Sequence, residues 1–326
     1  MVSVLLPNYN NAPYLKECLD SLFNQTYQDF ILYFIDDCST DTSLEIVATY
    51  PQEKIVIIKK TSNSGIVDTM NAGLDAIDSK YIIRMDGDDI SHPERFERLV
   101  NFMEKNPDIA VCSTDIETFG FSSELRIYER NPELNKANLI FGHSIGHASS
   151  IFRTLVLKTN NIKYENLFWR LEDYLLFYRI MKFGKTTSID GAYYLYRRTA
   201  ENENPEINVR KLTEYEKFYS MILADVGLSP NIQRLELHLV LKGLKPVSHT
   251  LSVYKKYSRE IITSNKKSKL FPAKELSFVL KGALRRLVFK LFDKNKLSKA
   301  ELIYFLISDF KFFRYYLGTR RKKIKS

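Results

Sequence analysis

Tyr81-Ile82-Ile83-Arg84-Met85-Asp86-Gly87-Asp88-Asp89 decides how this 326-residue chain is read. The run at 81–83 is short, apolar and uninterrupted, the pattern of a buried strand. Carboxylates follow at once, set around a glycine. Carboxylates are costly to bury unpaired, so they belong at the open end of that strand. Asp86 and Asp88 are two apart, which along an extended chain puts them on one side. Gly87 lets the backbone bend and lets a ligand come close. Two such carboxylates suit a hard divalent cation, Mg²⁺ or Mn²⁺, which would in turn hold a diphosphate. An acidic turn facing water has the same composition, so the motif alone leaves both readings open.

Upstream, residues 2–6 form another apolar run, ended by Pro7 and the turn-forming Asn8-Tyr9-Asn10-Asn11. Leu15, Cys18, Leu19, Leu22 and Phe23 recur at helical spacing over 13–25. Residues 30–35 predict a second strand closed by Asp36-Asp37, and Ser39, Thr40 and Asp41 are good caps for the helix that follows. Residues 55–58 predict a third strand, Asn63-Ser64-Gly65 a loop, and 66–78 a helix. Downstream, 94–105 reads as a helix, 109–113 as a strand, and 145–153 as a strand entering a helix. Residues 120–140 are weakly patterned and read as loops and short pieces. Glu172 and Asp173 open a helix whose dipole favours negative charge, so capping and catalysis both account for them. Residues 191–198 predict a last strand.

Strand and helix alternate with short loops, which predicts an α/β fold: a Rossmann-like, mostly parallel sheet flanked by helices. Ligands of such sheets bind beyond the carboxyl ends of the strands. The polar clusters at 7–10, 36–37 and 86–88 all follow strands at that end, so they are expected to converge on one cleft.

Composition is that of a folded protein, 44% hydrophobic and 27% charged. The three cysteines, Cys18, Cys38 and Cys112, lack metal-ligand spacing and read as reduced thiols. The chain opens directly into strand-like sequence, so no signal peptide is expected, and no apolar stretch is long enough for a transmembrane helix. The net charge of +9 hides a split. Residues 1–205 carry 21 lysines and arginines against 29 aspartates and glutamates, net −8, whereas 206–326 carry 27 against 10, net +17. Two regions are therefore expected: an acidic α/β domain at 1–205, holding the candidate metal site, and a basic, mainly helical extension at 206–326. In the extension, Leu276, Val279, Leu280, Ala283, Leu284, Leu287, Val288 and Leu291 share one helix face, with Lys274, Lys281, Arg285, Arg286 and Lys290 away from it or at its edges. Such a helix suits an anionic membrane surface, or else packs its apolar face inside a helical subdomain. The aromatic, basic 304–316 and the cluster at 320–325 add to the charge. No groove-reading or base-stacking module is visible, so nucleic acid is not an expected partner.

Val2-Ser3-Val4-Leu5-Leu6-Pro7-Asn8-Tyr9-Asn10, Ser21-Leu22-Phe23-Asn24-Gln25-Thr26-Tyr27, Ile35-Asp36-Asp37-Cys38-Ser39-Thr40-Asp41, Asn63-Ser64-Gly65, Asn71-Ala72-Gly73, Met85-Asp86-Gly87-Asp88-Asp89 and Leu171-Glu172-Asp173 stand in the order of a known family. Over roughly residues 2–200 the chain resembles the family 2 glycosyltransferases, inverting enzymes of the GT-A fold. The resemblance implies transfer of a sugar from a nucleotide sugar, by family habit a UDP-sugar, with a divalent metal. It implies base and ribose contacts from Pro7, Tyr9, Asn10, Asp37 and Gly65, with Tyr9 stacking on the base. It implies metal ligation by Asp88, with Asp86 on the ribose or the ion's water shell, and Asp173 as general base for an acceptor hydroxyl. Glu172, Trp169 and His147 would line the acceptor side. Many relatives carry a metal-binding His where this chain has Thr199, after Tyr196-Arg197-Arg198. Arg197 or Arg198 is then expected on the diphosphate, or metal binding is weaker.

The expected activity is that of a hexosyltransferase acting on a glycan or lipid-linked acceptor in bacterial cell-surface polysaccharide biosynthesis. The expected location is cytoplasmic and peripheral, on the inner face of the cell membrane. A nucleotidyltransferase would use a similar sheet, but it usually wants a Gly- and Lys-rich loop where this chain has Asn8-Tyr9-Asn10-Asn11. A non-catalytic sugar-nucleotide-binding relative is disfavoured by the intact Asp86, Asp88 and Asp173.

Overall fold

All seven residues of β1 (Val2–Asn8) are buried, as a strand covered on both faces must be. In the computed structural model, which describes residues 1–199 and 205–293, β1 pairs in parallel with β2 (Phe30–Asp36) and with β4 (Tyr81–Arg84). β2 pairs in parallel with β3 (Ile55–Lys59). The helices between them are α1 (Ala12–Phe23), the short α2 (Ser43–Val47) and α3 (Ile66–Ala76). Leu15, Cys18, Leu19 and Leu22 form the buried face of α1, as their spacing predicts. Full burial of each such aliphatic side chain contributes ~1.5–3 kcal/mol. α3 lies close on the sheet because residue 73 is glycine: a Cβ there would meet Leu5 Cδ1 at 2.1 Å.

Beyond β4 the chain forms β5 (Ile90–Ser91), α4 (Arg95–Lys105), β6 (Ile109–Gly120), β7 (Leu125–Arg126), α5 (Pro132–Asn138), β8 (Ile151–Arg153), α6 (Thr154–Thr159), α7 (Glu172–Ile180) and β9 (Lys185–Arg198). The sheet order is β3-β2-β1-β4-β8-β6-β9-β5, with β7 on β6. The mixed part begins where β8 runs antiparallel to β4. The expected parallel, helix-flanked α/β architecture is observed for β1–β4.

β6 and β9 are longer than their sequence patterns indicate. They pair along their length, and Ser113, Thr114, Thr186, Thr187 and Ser188 are buried between them. The Ser113 and Ser188 hydroxyls satisfy each other at 2.9 Å, so buried polar residues interrupt the apolar run without breaking the strand. β8 is correspondingly shorter than expected. The Ser149 hydroxyl turns back to the Thr114 carbonyl at 2.9 Å and holds the preceding segment as a loop. α5 falls within the weakly patterned 120–140, where the Asn131 side chain caps it by accepting from the Glu133 and Leu134 amides.

The chain divides into two compact units, Met1–Tyr215 and Glu216–Ser326, so the division falls inside α8 (Pro205–Val226) and beyond the expected boundary at 205. The second unit contains α9 (Ile232–Lys242), α10 (Leu251–Ser268) and α11 (Ala273–Asp293). Leu276, Leu280, Ala283, Leu284, Leu287, Val288 and Leu291 of α11 are buried, and α11 packs on α9 and α10. That apolar face is therefore used inside the protein and is not offered to a bilayer. The expectations for 304–316 and 320–325 lie outside the described residues. Among the described residues no helix is long and apolar enough to cross a membrane.

Candidate active site

The first two βα loops are laced together. Asn8 Nδ2 donates to Asp36 Oδ1 at 3.1 Å and to Ser39 Oγ at 3.0 Å. The Asn10 amide donates to Ser39 Oγ, and the Thr40 amide donates to Asn10 Oδ1 at 2.8 Å. Asn10 and Cys38 take φ of +53° and +65°, a left-handed backbone that such bonds hold in place. Tyr9 projects from this loop at 47% exposure, available for stacking. Pro7 does not share that position: it is a buried residue of β1.

Asp37 is 4% exposed, and its carboxylate is already engaged. It accepts from the Ser64 and Gly65 amides at 3.0 and 2.9 Å and pairs with Lys60 Nζ at 2.6 Å. Burial pushes this carboxyl up, but Lys60 and the two amides outweigh it and hold it below the usual range. Asp37 thus anchors the 63–65 loop, where a direct ribose contact was expected. Gly65 supplies its amide at φ +87°, a backbone that L side chains rarely adopt.

At the end of β4 the three carboxylates take three different roles. Asp86 pairs through Oδ2 with the buried guanidinium of Arg84. Burial opposes the Arg84 charge, but Asp86 more than offsets it and raises its pKa. Asp89 is 1% exposed and accepts from the Tyr194 hydroxyl and the Arg197 amide, each at 2.7 Å. Burial, then Asp86 and Asp88, push it well above the carboxylate range. Asp88 is half-buried, and burial followed by the Asp86 charge pushes it up to about 6. Beneath them Arg95, fully buried, donates to the Arg84 and Ala148 carbonyls and stacks 4.6 Å from the Tyr194 ring. Cys18 of α1 donates to the Asp86 carbonyl at 3.3 Å.

Among the described residues no group of three or more His, Cys, Asp and Glu side chains is placed to hold a metal by itself. Mg²⁺ is commonly held by one or two carboxylates together with substrate phosphates and water. Asp88, crowded by Asp86 beyond what Arg84 and Arg197 offset, fits that mode. Arg197 does not take the position expected of a diphosphate ligand. Its Nε donates to the Asp88 carbonyl at 2.8 Å, and its guanidinium pairs with Glu17 and lies between the Tyr14 and Phe119 rings, 4.7 and 4.4 Å away.

Asp173 opens α7. Its Oδ2 lies 3.1 Å from His143 Nε2, and its Oδ1 accepts the Tyr174 amide at 2.7 Å. Burial pushes Asp173 up, but His143 outweighs it and holds the carboxyl well below its usual range. Glu172 is raised, chiefly by burial and then by Asp173. The Trp169 ring carries the Arg210 guanidinium 4.2 Å above it, and its amide donates to Glu214. His147 does not present a free Nε2 to an acceptor. That nitrogen meets the Tyr164 hydroxyl at 2.7 Å, and burial lowers its pKa to about 3, so the ring is neutral. It packs edge-on against Phe152 and Phe177. His143, Arg84, Lys60 and Tyr194 were not foreseen. His143, Lys60 and Tyr194 act through partners distant in sequence, which no local pattern shows, and Arg84 pairs with Asp86 two residues on.

Residues 3–203 match the family model for Glycosyl transferase family 2. The chain is 31% identical to the poly(ribitol-phosphate) β-N-acetylglucosaminyltransferase TarP of Staphylococcus aureus, over 67% of this chain and 68% of that protein. It is 27% identical to an uncharacterised glycosyltransferase of Haemophilus influenzae, over 81% of this chain and 88% of the other. Its fold is similar to that of S. aureus TarS 1-349 in complex with UDP-GlcNAc, with a TM-score of 0.61 at 17% identity, covering 91% and 93% of the two chains. The protein is thus a glycosyltransferase with a GT-A fold. Within that class, it belongs to glycosyltransferase family 2.

Proposed function

We propose that this enzyme transfers a sugar, with inversion, from a UDP-sugar to a hydroxyl of a polyol-phosphate or glycan polymer of the bacterial cell surface. Inversion follows from a single displacement in which the acceptor oxygen attacks C1 opposite the departing diphosphate. Asp173 takes the acceptor proton as the new bond forms. The observation that carries this reading is the Asp173 carboxylate at the opening of α7, with its Oδ2 3.1 Å from His143 Nε2. The relatives that act on poly(ribitol-phosphate) support the acceptor class. Structures with UDP-GlcNAc and with GDP-Man and Mn²⁺ support a nucleotide-sugar donor and a divalent cation.

On the donor side, Tyr9 stacks on the base, and the Asp37-anchored 63–65 loop closes against the ribose. Asp88, with Asp86 beside it, would hold a Mn²⁺ or Mg²⁺ ion. That ion supplies charge neutralisation to the departing diphosphate. Glu172 and Trp169 border the acceptor. Among the cations of α10 and α11, Lys256, Arg259, Lys266, Lys267 and Lys274 are exposed. They support peripheral, electrostatic contact with an anionic cytoplasmic membrane face, each cation contributing about 1 kcal/mol near such a surface.

The test is mass-spectrometric detection of product from UDP-glucose, UDP-N-acetylglucosamine and UDP-galactose, with poly(ribitol phosphate) as acceptor. Asp173→Asn is expected to keep UDP binding and lose transfer by at least about a hundredfold. Full transfer by that variant would reject the base assignment.

A further inference from the structure

His143 lies between α5 and β8, on a loop to which the family motifs assign nothing. Its Nδ1 is 2.9 Å from the Ile145 carbonyl oxygen, and its Nε2 is 3.1 Å from Asp173 Oδ2. A carbonyl and an ionised carboxylate can only accept hydrogen bonds, whereas a neutral imidazole has one N–H and one lone pair. A neutral ring would therefore turn its lone pair toward one of the two oxygens. Both contacts are satisfied only when both nitrogens carry hydrogen. The ring is fixed on its other sides, 5.3 Å from Phe177 and 6.1 Å from Tyr174. Tyr174 is itself tied by its hydroxyl to the Leu139 carbonyl at 2.6 Å. With side chains 27% and 30% exposed, the pair is partly withdrawn from water.

We propose that His143 is a positioning residue for sugar transfer, an imidazolium that grips Asp173 through Oδ2 and fixes the rotation of the carboxylate, leaving a lone pair of Oδ1 for the acceptor proton. This deepens, and rests on, the reading of Asp173 as the base. In the step itself the acceptor O–H bond breaks and its proton passes to Asp173. The O–C1 bond forms, and the C1–O bond to the diphosphate breaks with its electron pair. His143 gains and loses no proton.

Among the described residues, the titratable groups around Asp173 include Glu172, the neutral His147 and the phenols of Tyr128, Tyr164 and Tyr215, and the Lys211 and Arg84 cations act on the adjacent Glu172. A neutral residue at 143 removes the cation in direct contact with Asp173. Asp173 then binds a proton more readily, and the acid limb of the kcat–pH profile moves to higher pH.

The experiment is ¹⁵N NMR of the full chain labelled at histidine, with the His143 signals assigned by their loss in His143→Gln and His143→Asn. The expected result at pH 7 is a ring with both nitrogens protonated, reverting toward a neutral tautomer in Asp173→Asn. A neutral tautomer in the unsubstituted protein would overturn the proposal without touching the base assignment. In transfer from UDP-glucose or UDP-N-acetylglucosamine to poly(ribitol phosphate), His143→Gln is expected to lower kcat roughly 10- to 100-fold, the scale for a misoriented catalytic group. Donor KM should hold, and the acid limb should shift upward. A fall in kcat with an unmoved pH profile would reduce His143 to a packing role. Activity retained in Asp173→Asn would reject the base reading itself.

Discussion

Asp37 accepts the backbone amide of Gly65 at 2.9 Å, and Gly65 adopts φ +87° to offer it. The bond ties the end of β2 to the start of α3. Asp37 therefore acts through the loop it holds.

Asp37→Ala would leave the Lys60 cation, 16% exposed, without its carboxylate. Breaking a pair this buried is expected to cost about 3 kcal/mol, read from urea denaturation. The Asp37 carboxyl is held below its usual range, so its stabilisation is complete above the ordinary carboxylate pKa. It is lost as pH falls through the lowered value. The variant and the unsubstituted protein should therefore converge in stability only in strong acid, while UDP affinity is weaker in the variant throughout.

Asp88 has the opposite sign. Its carboxyl is pushed up to about 6, so the fold favours the protonated form, and stability falls as pH rises through that value. Without divalent metal, Asp88→Asn is expected to raise Tm at pH 7.5 by about 2–4 °C and to leave it nearly unchanged at pH 4. The same variant should lose the Mn²⁺-dependent part of UDP binding in calorimetric titration. A lowered Tm at pH 7.5 would show that Asp88 is not electrostatically crowded.

Tyr194→Phe would remove the hydroxyl that donates to Asp89 and accepts from the Asp86 amide. Leaving a buried carboxyl oxygen short of a donor costs ~1–3 kcal/mol. Asp89→Asn replaces the carboxyl group that takes this donor. The double variant should accordingly be less destabilised than the sum of the two single variants, a coupling a double-mutant cycle reads directly.

Arg197→Lys tests whether this arginine is structural. A planar guanidinium stacks between Tyr14 and Phe119 while donating to the Asp88 carbonyl, and an ammonium cannot match that geometry. The expected loss is ~1–2 kcal/mol of stability. Unchanged stability with weakened UDP binding would instead identify a diphosphate ligand.

The strand positions at 2–6, 30–35, 55–58 and 81–84 were legible because each is a short apolar run bounded by turn-formers. The full extents of β6 and β9 were not. Their interior carries Ser113, Thr114, Thr187 and Ser188; the Ser113 and Ser188 hydroxyls find each other only once the strands meet, and Thr187 donates to the distant Arg130 carbonyl. The α11 helix was legible from its period. Whether its apolar face met lipid or protein was not, because periodicity identifies a face and not what covers it.

The sequence by itself determined the order of strands and helices and put Asp37, Asp86, Asp88 and Asp173 at element ends, since unpaired carboxylates are too costly to bury within a strand. Only the tertiary structure decided which of them are committed. Arg84 takes Asp86, Lys60 and Gly65 take Asp37, Tyr194 takes Asp89, and His143 takes Asp173. Apart from the Arg84–Asp86 pair, these partners come from separate elements or loops. Their pairing depends on strand register and loop path, and a one-dimensional pattern holds neither.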